Sequence, residues 1–225
     1  MYELVTGPMA WLAFSVFFIG LIVRTVMYIR GLDWKLDRVA YSEDLALGIR
    51  GAIRSIGFWL LPFGTRGWRF YKGLTLLVFI FHIGLLGVPI FLKAHNIILQ
   101  ERWGFSLWTI SETAADVLTI AVVVSGLFLL LRRIALPEVR IMTSAADYLL
   151  LGMVIIPFIT GFLAHHQVTD YQFWLIVHIL SSEILLILIP FTKLSHVVLF
   201  FLARAQLGMD FGIKRGGMKN KGFAW

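Results

Sequence analysis

Six histidines carry most of the chemistry open to this chain: His82, His95, His165, His166, His178 and His196. Four of them, His82, His95, His178 and His196, lie in or at the ends of long apolar runs. An ionisable side chain is rare there and marks a functional site by default. A neutral imidazole is a metal ligand, and two of them fill both axial positions of a haem iron, leaving no open site for oxygen or substrate. That favours electron transfer. His178 and His196 are eighteen residues apart, which is five whole turns of a continuous α-helix, so both leave one face about 27 Å apart along the axis. That is close to the thickness of a bilayer's hydrocarbon core. Such a helix suits two haems stacked across a membrane, one near each surface.

The pairing follows from depth. His82, about ten residues into the second apolar run, and His196, at the end of the last run, meet at similar depth and can clamp one iron. His178 needs a partner in the other half of the membrane; His95 is the first choice, with His165 and His166 in reserve. On a straight helix His82 and His95 stand about 20 Å apart, whereas zinc or copper needs ligands converging within a few ångströms. One small metal therefore cannot hold all four. For a single histidine in a span, a structural hydrogen bond is an equally good account; four sorted by depth weigh against it.

The elements that must position these residues are membrane helices. Of the 225 residues 59% are hydrophobic, and the mean hydropathy is +0.85, well above a soluble domain. The apolar residues fall into runs near the bilayer-spanning length. The expected fold is all-α: a five-transmembrane-helix bundle over residues 1–203, with spans at about 8–28, 73–92, 113–131, 147–163 and 171–202, then a basic tail, 204–225. Pro157 marks a kink in the fourth span. Between the first two spans, Tyr41 to Trp59 carries apolar residues at helical spacing with Arg50 and Arg54 on another face, as in a helix lying on the membrane surface or against a partner. The first run has no basic residue before it and no small-residue cleavage pattern, so it reads as a retained helix.

Eighteen of the 20 Lys and Arg residues fall in or beside the loop between spans one and two, the turn between three and four, and the tail. Lys93 and Arg102 are the other two. By the positive-inside rule the N-terminus lies outside and the tail in the cytoplasm of a cell inner membrane. The net charge of +7 then belongs to cytoplasmic loops, not to nucleic-acid binding. The absence of cysteine removes disulfides, iron–sulfur ligation and thiol catalysis. Any cluster upstream or downstream must sit in another subunit.

Other side chains admit two readings. Glu183, inside the last span, suits a proton relay or a hydrogen bond from a quinol; a partner for Arg24, or a neutral buried acid, explains it equally well. Lys93, His165, His166 and Asp170 gather at the outer surface with His95; residue by residue they read as solvated loop charge, and only a family resemblance implies a quinone site there. Asp116 and Asp147 read as caps. Gly84, Gly87 and Gly152 permit close approach of a helix or a porphyrin. Trp103 and Trp108 read as interfacial anchors. Lys214 to Lys221 suits anionic lipid or a docked subunit.

Phe81-His82-Ile83-Gly84-Leu85-Leu86-Gly87, Arg132-Arg133 with Ala145-Ala146-Asp147 beyond, and the segment from His178 through Pro190-Phe191-Thr192-Lys193-Leu194-Ser195-His196 together resemble the γ subunit of respiratory nitrate reductases. That family includes the related cytochrome b subunits of sulfite-reductase-associated and heterodisulfide-reductase-like complexes. The segment Pro89 to Asn96 is most similar to the cytochrome b subunits of transmembrane redox complexes of sulfate reducers. The resemblance implies two haem b groups, His82 and His196 on the cytoplasmic side and His178 on the outer side, with menaquinol as substrate beside the outer haem. It also implies a cytoplasmic iron–sulfur subunit of the heterodisulfide-reductase type and a multihaem cytochrome c outside. One position departs from the nitrate reductase pattern, which places a second histidine ten residues after the first. Here that residue is Leu92, and His95 comes thirteen after, about 220° around a straight helix. Pro89 lies between and can re-aim it.

The expected function is thus a dihaem b-type cytochrome, the quinone-linked electron-transfer subunit of a respiratory complex. Two rivals stand beside it: an electron conduit with no quinone site, and a five-span transporter or assembly protein whose histidines are structural.

Overall fold

The structure, a computed structural model, describes residues 2–32 and 45–214, with side chains to residue 210. The described regular structure is entirely helical. Helix α1, Tyr2–Arg30, has one wider turn at Val5–Met9 around Pro8. There follow α2 (Leu45–Leu60), α3 (Arg66–Phe70), α4 (Lys72–Phe91), α5 (Lys93–Trp103), α6 (Glu112–Ala135), α7 (Pro137–Arg140), α8 (Ala145–His165), α9 (Tyr171–Phe191) and α10 (His196–Lys214). Helices α1, α4, α6, α8 and α9 are each long and apolar enough to cross a membrane. They turn large side chains outward, such as Ile22 at 63% and Leu149 at 70% exposed. In water that surface would aggregate; in lipid it is the solvated face. The chain is a multi-pass membrane protein.

The caps explain several boundaries. The Ser111 hydroxyl accepts from Ala114 N–H at the start of α6. Ser144 and Asp147 form a reciprocal capping box at the start of α8, as expected for Asp147. Asp116 instead lies more than a turn inside α6 and pairs with His166, so its expected cap role is corrected. Buried hydroxyls in the spans bond back along their own helices, Thr160 to the Ile156 carbonyl at 2.9 Å and Thr75 to the Tyr71 carbonyl at 2.9 Å. No lipid-facing polar group is needed to satisfy them.

The chain divides into two compact units. The first comprises Met1–Ala10 and Leu76–Leu185. Phe81, Val88, Val122, Val154, Ile155 and Phe158 are buried, and small residues let its helices approach. A Cβ at Gly84 would stand 2.5 Å from Val122, and one at Gly126 would stand 2.6 Å from Ile155. Gly84 is thus a helix-packing residue. At Gly87 and Gly152 a Cβ would meet nothing within 4 Å, so neither makes a close helix contact among the described residues.

The second unit comprises Trp11–Thr75 and Leu186–Trp225. Here α2 packs along α10, and a Cβ at Gly208 would strike the Gly51 carbonyl and the Ser55 side chain. Arg204 lies 4.5 Å over the Trp59 ring, and Tyr28 donates to Gln206. The amphipathic segment therefore has an intramolecular partner, the helix after the last span. Residues 41–44 of that segment, and the basic tail beyond Lys214, lie outside the described residues.

The last span differs from the expected continuous helix over 171–202. It ends at Phe191. Thr192 is extended, with φ −122° and ψ −175°, and its hydroxyl accepts from Leu194 N–H. A 3₁₀ turn, Lys193–Ser195, leads into α10. The cause lies in the sequence Pro190-Phe191-Thr192: a proline near a helix end, then a residue that caps the next one. The five-turn argument for a shared face of His178 and His196 fails, because the helix between them is broken.

Candidate functional site

The second span also ends before its outer histidine. Helix α4 stops at Phe91, and Leu92 is extended at φ −65°, ψ 131°. A helix end leaves its last carbonyls without partners. Here they are taken up in order. Leu92 N–H donates to Val88 at 2.9 Å. The His95 Nδ1–H donates to the Pro89 carbonyl at 2.9 Å, the Asn96 side chain to Ile90 at 2.8 Å, and Ile110 N–H to Phe91 at 3.0 Å. Pro89 thus fixes His95 through its carbonyl oxygen, with the break three residues later. Asn96, only 2% exposed, also donates to Leu92 and accepts from Leu107 N–H at 2.7 Å.

Re-aimed by this break, His95 meets His178 of α9. Their ring centres are 6.1 Å apart and their planes differ by 13°. His178 Nδ1–H donates to the Pro157 carbonyl at 2.8 Å. A carbonyl can only accept, so in both neutral rings Nδ1 carries the proton and the lone pair is on Nε2. That is the tautomer of a metal-ligating histidine held by a backbone carbonyl. Two nitrogens each about 2 Å from one metal stand roughly 4 Å apart, with ring centres about 6 Å apart; the observed spacing fits. Gly161 adjoins the pair, since a Cβ there would lie 2.9 Å from the His178 ring. Burial lowers the His95 pKa from the ordinary value, opposed in part by its bond to Pro89, so the metal-binding neutral form is favoured.

His82 and His196 belong to different units and are described separately. His82 Nδ1–H donates to the Val78 carbonyl at 2.8 Å, one turn back in α4. His196, the first residue of α10, donates from Nδ1 to the Lys193 carbonyl at 2.9 Å. All four expected ligands therefore share one tautomer, with the lone pair on Nε2.

His165 and His166 gather with Asp116, and His166 Nε2 is 3.1 Å from the Asp116 carboxylate. Lys93 is the exposed first residue of α5. Glu183 is 6% exposed, and neither carboxyl oxygen has a hydrogen-bond partner among the described residues. Arg24, the partner expected for it, belongs to the other unit, where its guanidinium donates to the Ser195 hydroxyl at 3.4 Å. Sequence reasoning passed over Asn96 and Gly161. The signal for Asn96 was an amide just beyond an apolar run ending in Pro89; nothing local marks Gly161, whose role comes from α9.

Fold and site together define a class: a multi-pass helical membrane protein with two near-parallel imidazoles, His95 and His178, brought together from different helices. The chain belongs to the same family as a protein of Nitratidesulfovibrio vulgaris (strain Hildenborough), described simply as "Protein", which is 52% identical over 226 residues covering the whole of both chains. It is also similar to the respiratory nitrate reductase 1 gamma chain of Escherichia coli K12, 31% identical over 135 residues, or 53% of this chain and 59% of that one. No family model matches the chain.

Proposed function

We propose that this protein is a dihaem b-type cytochrome, the membrane electron-transfer subunit of a quinone-linked respiratory complex in the cell inner membrane. The observation that carries the reading is the His95–His178 pair, 6.1 Å apart and near-parallel, each ring held by a proline carbonyl. Haem b, when bound, supplies one-electron transfer. The residues do the rest. His95 and His178 would offer Nε2 to the outer-side iron; His82 and His196, which the family resemblance pairs, would each present Nε2 as the ligand atom for a cytoplasmic-side iron. Their backbone hydrogen bonds fix ring orientation and raise ligand basicity. Held by two imidazoles each, the haems would carry electrons without binding oxygen.

Menaquinol is the proposed small-molecule substrate, bound beside the outer pair. Lys93 is the polar group offered there, and Glu183 is the proton-carrying candidate, supported by its burial without a hydrogen-bond partner among the described residues. Electrons pass to or from a cytoplasmic iron–sulfur subunit, with a multihaem cytochrome c as a further partner outside. The similarity to a nitrate reductase gamma chain supports placement in a redox complex, and a chain without cysteine needs a partner to carry clusters.

The test is an absorption spectrum of the purified chain with haem counted per polypeptide. Two haems with reduced b-type bands are expected. His178→Ala should remove one, as should His82→Ala, while elution volume is unchanged. A colourless protein would end the proposal. Inhibition of quinol-dependent reduction by quinone analogues tests the substrate.

A further inference from the structure

Asp116, His165 and His166 form a second cluster, separate from the histidine pair. Asp116 projects from the second turn of α6; the two histidines close α8, with His166 at its C-cap. One donor atom from each lies within 4.8 Å of the others. His166 is 3.1 Å from Asp116, and the two imidazole centres are 4.9 Å apart. The ring nitrogens of His165 have no hydrogen-bond partner among the described residues. Both histidines are exposed and Asp116 is intermediate, so an ion from water can reach all three.

We infer that these three side chains form a binding site for a divalent transition-metal ion of the zinc type, with water completing the coordination. Two imidazoles and one carboxylate are a borderline donor set, suited to zinc rather than calcium or magnesium, which prefer oxygen. Tetrahedral ligands on bonds of about 2 Å stand roughly 3.4 Å apart, so the donors close by about an ångström, a movement exposed side chains make by rotation. A surface His–Asp pair alone accounts for His166 and Asp116 but contributes little, and it leaves His165 without a role. A bound ion uses all three and ties the start of α6 to the end of α8. The inference does not depend on the histidine pair holding haem.

The experiment is equilibrium dialysis of the full chain in detergent against Zn2+ after chelator treatment, with bound metal counted per polypeptide and haem absorbance recorded in parallel. One bound Zn2+ is expected, with a raised Tm. Asp116→Asn, His166→Gln and His165→Gln should each weaken binding at least tenfold and abolish the Tm increase. His165→Gln is the decisive variant, because it leaves the His166–Asp116 contact in place. X-ray absorption at the zinc edge should show two imidazoles among the ligands. Wild-type binding equal to that of the triple variant would overturn the site, as would Zn2+ binding lost only on changing His95 or His178. A haem count of zero with zinc still bound would sink the cytochrome reading and spare this one.

Discussion

At the residue scale, the four candidate ligands share a feature that no sequence pattern prints: each donates Nδ1–H to a backbone carbonyl. Histidine identity was legible. The tautomer was not, because it depends on which carbonyl a helix end leaves available. His95 gives the testable case. Burial lowers its pKa, so the unfolded chain binds the proton more readily than the folded one. Stability therefore rises with pH where the unfolded group titrates. The contribution is complete above about 6.5, the ordinary histidine value, and is lost as pH falls from there toward the lowered folded value. Thermal unfolding of haem-free wild type and haem-free His95→Gln should thus differ by a constant amount above pH 7 and converge below 6.5. A gap that widens on acidification would contradict the burial argument.

At the element scale, the chain's two most informative features are breaks. The apolar run around Pro89 and the one around Pro190 each read as one helix by hydropathy, and hydropathy is blind to a single extended residue. The first break solves the 220° mismatch: His95 need not lie on α4's face, because it sits on another helix. The second breaks the continuous helix on which the His178–His196 spacing depends for a shared face. Asn96 holds the first break together. Asn96→Ala strips partners from the Ile90 carbonyl and Leu107 N–H; leaving buried groups unsatisfied costs about 1–3 kcal/mol. The expected result is a lower Tm and loss of the outer haem ahead of the inner one, read by haem count. Gly161 offers a sharper comparison. Glycine inside a helix is ordinarily about 0.5–1 kcal/mol worse than alanine, so Gly152→Ala, which meets nothing, should be neutral or stabilising. Gly161→Ala places a methyl 2.9 Å from the His178 ring, and overpacking of this kind costs about 1–3 kcal/mol. The clash should win, lowering Tm and shifting the outer haem's potential. Equal effects at both glycines would detach Gly161 from the site.

At the scale of the whole molecule, the five spans were legible because their length and apolarity are set by the bilayer and owe little to tertiary context. Burial was less so: small residues such as Gly84 and Gly126 line the first unit's interior, and hydropathy ranks them low. Orientation rests on charge. The cysteine-free chain allows a direct test, since one introduced cysteine is the sole target for a membrane-impermeant maleimide. Glu101, in α5, and Glu138, in α7, are both exposed and belong to connections of opposite expected sidedness. Glu101→Cys should label on spheroplasts, and Glu138→Cys only after the membrane is opened. The result matters beyond topology. With Glu101 outside, the His95–His178 pair lies near the outer surface, and the proposed quinol oxidation beside it would release protons outward while electrons move inward, so that turnover would separate charge. The reverse labelling would put that pair on the cytoplasmic side, and the same chemistry would release its protons where the electrons arrive.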